Sequence, residues 1–95
     1  MKKNLCLALC QGRHEMPAEV AGSIFGQEVD PLDIQGLEQK ALDKVKGLDS
    51  LILYVTGLTV ALVATLNACK KAGVKVVLMH YNRDAGSYYP QEVFI

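Results

Sequence analysis

The apolar positions of this chain change period in the middle of one long uncharged run, Leu51 to Cys69. Leu51-Ile52-Leu53-Tyr54-Val55 is aliphatic, aromatic and β-branched, the pattern of a buried strand. From Leu58 to Ala72 the spacing turns helical, with Leu58, Leu62 and Leu66 four apart. Thr56-Gly57 separates the two halves. The pattern predicts strand, tight glycine turn, helix. Such a junction aims backbone N–H groups and the positive end of a helix dipole beyond the strand, a place suited to a phosphate. A membrane span is the competing reading of the run. Thr56, Gly57, Thr59, Thr65 and Asn67 dilute it, and Val74 to Met79 supplies a further apolar strand to pack against, so no membrane span is expected.

The same reading extends to both sides. Leu5 to Cys10 suits a strand buried on both faces. Gln11-Gly12-Arg13-His14 breaks it, and Pro17 opens a short helix ending near Gly26, with Val20, Ile24 and Phe25 on its apolar side. Gln27 to Val29 reads as a brief strand. Asp33 is placed to cap the next helix, whose face carries Ile34, Leu37, Ala41, Val45 and Leu48 and which ends at Gly47. After the central strand and helix, Lys70, Lys71 and Gly73 form a helix C-terminus. Val74 to His80 is a fourth strand and Arg83 to Gly86 a turn. Ser87 to Phe94 returns as an edge strand, where Pro90 is tolerated. The order β-α-β-α-β-α-β predicts an α/β fold: a small Rossmann-like, mostly parallel sheet with flanking helices and a C-terminal edge strand. A ferredoxin-like arrangement is the alternative, but it needs a central hairpin where the sequence shows helices.

Composition narrows the class. Ninety-five residues make one domain, 1–95, and half of them are hydrophobic. Ten basic and ten acidic side chains cancel, so no basic field exists for duplex nucleic acid. The apolar content, and a Leu58–Cys69 helix with few polar residues, predict a homodimer. Three cysteines, Cys6, Cys10 and Cys69, show no Cys-x-x-Cys, and the apolar stretch after Met1-Lys2-Lys3-Asn4 is too short for a signal peptide. A cytoplasmic setting follows as the expectation.

In an open parallel sheet, ligands bind beyond the carboxyl ends of the strands. Three polar clusters fall there: Gln11-Gly12-Arg13-His14, Thr56-Gly57-Leu58-Thr59, and His80-Tyr81-Asn82-Arg83. Each has a plain reading as well. Arg13 and Arg83 suit solvated loops, His14 a turn, His80 the core, and Thr56 or Thr59 a helix cap. What favours a site is that the predicted fold brings all three to one rim. There is no P-loop, no dinucleotide fingerprint and no metal-ligand spacing, so no cofactor and no metal are expected.

Tyr54-Val55-Thr56-Gly57-Leu58-Thr59, the apolar helix after it, and Val74 to Met79 followed by His80-Tyr81-Asn82-Arg83 resemble the nucleotide-binding core of CRISPR-associated Rossmann-fold (CARF) domains. The likeness is greatest to the small stand-alone ring nucleases of that group. The resemblance implies a cyclic oligoadenylate bound across the two-fold axis of a homodimer. It also implies metal-independent ring cleavage by a ribose 2′-hydroxyl, which ends type III CRISPR signalling or serves a virus that suppresses it. The chain is much shorter than full CARF domains and lacks an effector nuclease domain. On this reading Gln11, Gly12, Thr56, Gly57, Leu58, Thr59, Tyr81, Asn82 and Arg83 hold the ligand. Arg13, His14 and His80 take part in catalysis, either histidine being suited to move a proton, and Tyr81 stacks on an adenine. A non-catalytic cyclic-nucleotide sponge or sensor needs the same pocket. A structural interaction protein, using the Leu58–Leu66 helix as an interface, needs none.

Overall fold

The computed structural model describes residues 4–11, 17–26, 28–56 and 58–94. Its elements are β1 (Asn4–Cys10), β2 (Ser23–Phe25), α1 (Ile34–Val45), β3 (Ser50–Tyr54), α2 (Thr59–Ala72), β4 (Lys75–Asn82) and β5 (Ser87–Val93). They form an α/β fold with one five-stranded sheet in the order β2-β1-β3-β4-β5. β2, β1, β3 and β4 run parallel, and β5 returns antiparallel along β4.

Side-chain alternation along the strands gives the sheet two faces. Leu7 and Leu9 of β1, Leu51 and Leu53 of β3, and Val76 and Leu78 of β4 belong to the core that α1 and α2 cover. α1 starts where the sequence predicts. The Asp33 carboxylate accepts the Gly36 N–H at 3.1 Å, and Leu37, Ala41 and Val45 are buried. Ile34, expected on that face, is exposed. α2 ends at Gly73, whose left-handed backbone (φ 71°) favours glycine. Its buried stripe is Ala61, Ala64, Thr65, Ala68 and Cys69, with Leu62 and Leu66 flanking it. Small residues there let α2 pack closely on α1, so much of its apolar content is used inside the protomer. Among the described residues, no helix is long and apolar enough to cross a membrane.

The expected order needs correction between Pro17 and Val29. No helix forms over Pro17–Gly26. The Val20 N–H donates to the Pro17 carbonyl at 3.0 Å, closing a single turn. The chain then runs extended beside β1: Ala21 N–H donates to the Cys6 carbonyl at 2.8 Å and Ala8 N–H to the Gly22 carbonyl at 2.9 Å. Ile24 and Phe25 therefore lie in β2 and not on a helix, and the strand expected at Gln27–Val29 is displaced to Ser23–Phe25; Gln27 itself lies outside the described residues. The physical reason is tertiary. As a strand against the edge of β1, this segment buries Phe25 to 2% exposure, more than three apolar residues on a short helix would gain. The observed order is thus β-β-α-β-α-β-β. At the other end, β4 runs two residues past His80, and Pro90 sits on the edge strand as predicted.

Candidate functional site

The register fixes which chain segments meet. Ala8 pairs with Tyr54 and Tyr54 with Met79. Two residues further on, Cys10, Thr56 and Tyr81 reach the same level, so the carboxyl ends of β1, β3 and β4 do share one rim. Gln11, Thr56, Leu58, Thr59, Tyr81, Asn82 and Arg83 all lie at that end of the sheet. Gly12, Arg13, His14 and Gly57 lie outside the described residues.

Thr56 is neither a free ligand donor nor the cap of α2. Its Oγ1 accepts the Cys10 N–H at 3.1 Å and donates to the Cys10 carbonyl at 2.8 Å. The hydroxyl so continues the β1–β3 pairing one step past the last strand residue. The N-cap position of α2 is Leu58, which has extended backbone and offers no side chain to the first-turn amides. Burial pushes the Cys10 thiol up from its ordinary value, and the backbone N–H of Leu58 opposes the rise. Thr59, the first helical residue, is exposed. The start of α2 thus presents backbone donors at the rim without a capping side chain. Gln11 anchors the other flank, donating its N–H to the Phe25 carbonyl at 2.9 Å while its side chain stays exposed.

The fourth-strand cluster divides between faces. His80 follows Leu78 on the helix-covered side and is half-buried. Its Nε2 lies 2.7 Å from Gln91 Oε1, a contact that fits Nε2–H as donor, and its ring tilts against Tyr89 with centroids 5.4 Å apart. Tyr81 projects from the opposite face and is 53% exposed. Asn82 shapes the hairpin: its Oδ1 accepts the Asp84 N–H at 3.0 Å and the Ala85 N–H at 3.3 Å, and its carbonyl accepts the Gly86 N–H at 2.8 Å. Arg83 sits exposed in the resulting turn.

One feature of the site escaped the sequence reading. Tyr88 of β5 pairs with Tyr81 and stands edge-on to it, centroids 5.2 Å apart; it also stands edge-on to Tyr54 at 4.7 Å. Tyr54 in turn donates its hydroxyl to Glu19 Oε1 at 2.9 Å. A chain from the Glu19 carboxylate through the Tyr54 and Tyr88 rings therefore supports the exposed ring of Tyr81. The signal was a hairpin whose strands place tyrosines directly opposite, visible only once the register is known.

The Tyr54 hydroxyl is pushed up to about 12, first by burial and then by its hydrogen bond to Glu19. The folded protein holds that proton more tightly than the unfolded chain does. Stability is then unaffected below the ordinary tyrosine value of 10.0 and is lost as pH climbs from there toward 12. Tyr54→Phe is expected to lose less stability over that range than the parent, measured by urea unfolding on both sides of about pH 10. Equal alkaline losses would remove Tyr54 as the source.

Among the described residues, no group of three or more His, Cys, Asp and Glu side chains is gathered to hold a metal ion. Comparison with known proteins supplies no neighbour: no family model, no curated protein and no solved structure matches the chain.

Proposed function

We propose that the chain binds a cyclic oligoadenylate at the carboxyl-end rim and opens the ring, as a ring nuclease of type III CRISPR signalling or of its viral suppression. The observation that carries this reading is the start of α2, uncapped by any side chain and set at the end of β3 between Gln11 and the exposed ring of Tyr81. An anion is the ligand such a helix start favours, and an aromatic ring beside it suits a nucleobase. On this view the fold is a Rossmann-like layer of the CARF kind in which an extended β2 segment takes the place of the first helix. The site acts as a homodimer in the cytoplasm, with no cofactor and no metal.

The chemistry asks little of the protein. A 2′-hydroxyl must lie in line with the departing 5′-oxygen, and donors must take up charge growing on the phosphoryl oxygens. The first-turn amides of α2, with Arg13 and Arg83, supply those donors, and His14 moves the proton. A binding module that holds the ring uncut is the second reading. It is favoured by two tied groups at the rim, the Thr56 hydroxyl on Cys10 and the His80 ring on Gln91. Incubation with a panel of cyclic oligonucleotides in EDTA, with products resolved by chromatography, separates the two. Cleavage supports the nuclease, retention without cleavage the sponge or sensor, and no retention removes both.

Arg13→Ala and Arg83→Ala are each expected to weaken binding of the ring by about tenfold or more, since a charge-assisted contact to phosphate is worth about 1.5–3 kcal/mol. Arg83 is exposed in its turn, so Arg83→Ala should leave the melting temperature unchanged. Titration calorimetry that gives parental affinity for both variants would take the rim out of consideration.

A further inference from the structure

We propose that Tyr88 is a positioning residue of the ligand site: it fixes the Tyr81 ring in advance as a platform on which a nucleobase stacks. This rests on the nucleotide reading above and deepens it by naming what holds the platform in place. Strand order puts β4 between β3 and β5, so the backbones that carry Tyr54 and Tyr88 run about 10 Å apart. Their ring centroids are nevertheless only 4.7 Å apart. Register adds the direction. Tyr54 is level with Met79, while Tyr88 is level with Tyr81, two residues nearer the rim. The two rings therefore meet on a diagonal across β4. Among the described residues, Tyr88 is the ring that touches both Tyr54 and Tyr81.

The far end of this chain of rings is anchored. Tyr54 is 4% exposed, and its hydroxyl donates to Glu19 Oε1 at 2.9 Å. The turn carrying Glu19 is closed by the Val20 N–H on the Pro17 carbonyl at 3.0 Å, and it is joined to β1 by the Ala21 N–H on the Cys6 carbonyl at 2.8 Å. Tyr81, by contrast, is more than half exposed. An exposed ring samples several rotamers and loses that freedom when a ligand settles on it. Tyr88 stands edge-on to Tyr81, with centroids 5.2 Å apart and planes at 66°, a geometry that aromatic pairs favour. The contact restricts the Tyr81 ring before any ligand arrives. An edge-on neighbour also covers at most one face of a ring, so a face of Tyr81 is left for a base, in keeping with its exposure.

Titration calorimetry with two probes, adenosine monophosphate and the panel of cyclic oligoadenylates, tests the assignment. Tyr81→Ala should weaken binding of either probe by about tenfold or more. Tyr88→Leu should weaken it by about two- to tenfold, the effect of one side chain left free to be ordered on binding, and Tyr88→Phe, which keeps the ring, should rescue it. In the Tyr81→Ala background, Tyr88→Leu should cause no further loss. A residue that only stabilised the fold would show the same loss in both backgrounds. Relaxation of ring-labelled tyrosines in the ligand-free parent needs no variant, and Tyr81 should prove as ordered as the buried Tyr54. A freely turning Tyr81 ring, additive losses, or parental affinity in Tyr88→Leu would each overturn the proposal. Adenosine monophosphate bound in this Tyr81- and Tyr88-dependent way, with no cyclic oligoadenylate bound, leaves the platform standing and removes the ring reading. Binding of the cyclic ligand indifferent to Tyr88 does the reverse, and binding of neither probe removes both.

Discussion

Thr56→Val is expected to lower the unfolding free energy by about 2–4 kcal/mol, a large share of the stability of a domain this size. The hydroxyl is at once acceptor for the Cys10 N–H and donor to the Cys10 carbonyl. Valine keeps the shape and leaves both backbone groups without partners in a partly buried place. Each orphaned group costs about 1–3 kcal/mol, more than the hydrogen bond itself contributes net. Thr56→Ser retains the oxygen and is expected to recover most of the loss. Urea denaturation with the slope held constant is the measurement. A Thr56→Val change within about 0.5 kcal/mol would show that water satisfies Cys10 instead. The same variant probes the rim, because this clamp fixes β1 beside β3 at the point where both chains leave the sheet. Ligand affinity is expected to fall with stability in Thr56→Val and to return in Thr56→Ser.

The central half of the fold was legible because its signals are local. The Asp33 cap, the change of period at Thr56-Gly57, and the Lys70-Lys71-Ala72-Gly73 helix end each depend on residues a few positions apart, and α1, β3, α2 and β4 follow from them. The edge position of β5 came from one residue, Pro90. The segment after Pro17 failed for the opposite reason. Its fate is decided by pairing with Cys6, Ala8 and Cys10, and nothing local in Val20, Ile24 and Phe25 reveals a sheet edge waiting for them. The site shows the same division. Topology put Gln11, Thr56 and Tyr81 on one rim, but the partners of each polar group were not readable. A threonine after a strand looks the same whether it caps a helix or clamps a neighbouring strand, and Tyr88 gained its role only from register.

His14→Ala is expected to reduce ring cleavage by about 10²–10⁴-fold while binding persists, and His80→Ala to leave the rate close to that of the parent. A general base must reach the 2′-hydroxyl of a ring seated at the rim. His80 lies on the helix-covered side of β4, half-buried, with Nε2 held by Gln91 at 2.7 Å and the ring laid against Tyr89. The exposed Tyr81 ring, where an adenine would stack, projects from the other face of the same strand. A ligand on Tyr81 is therefore turned away from His80. β1 ends at the level of Tyr81, and the chain's other imidazole, His14, follows four residues later in the sequence. Cleavage followed against pH separates the two residues. The limb that reports the base should vanish in His14→Ala and survive in His80→Ala. Gln91→Leu, which releases the His80 ring without removing it, should leave both limbs in place. Loss of that limb in His80→Ala, or its displacement in Gln91→Leu, would transfer the role to His80. Parental rates in both histidine variants would leave positioning and the α2 backbone amides as the whole of the catalysis, with in-line attack by the 2′-hydroxyl assisted by water.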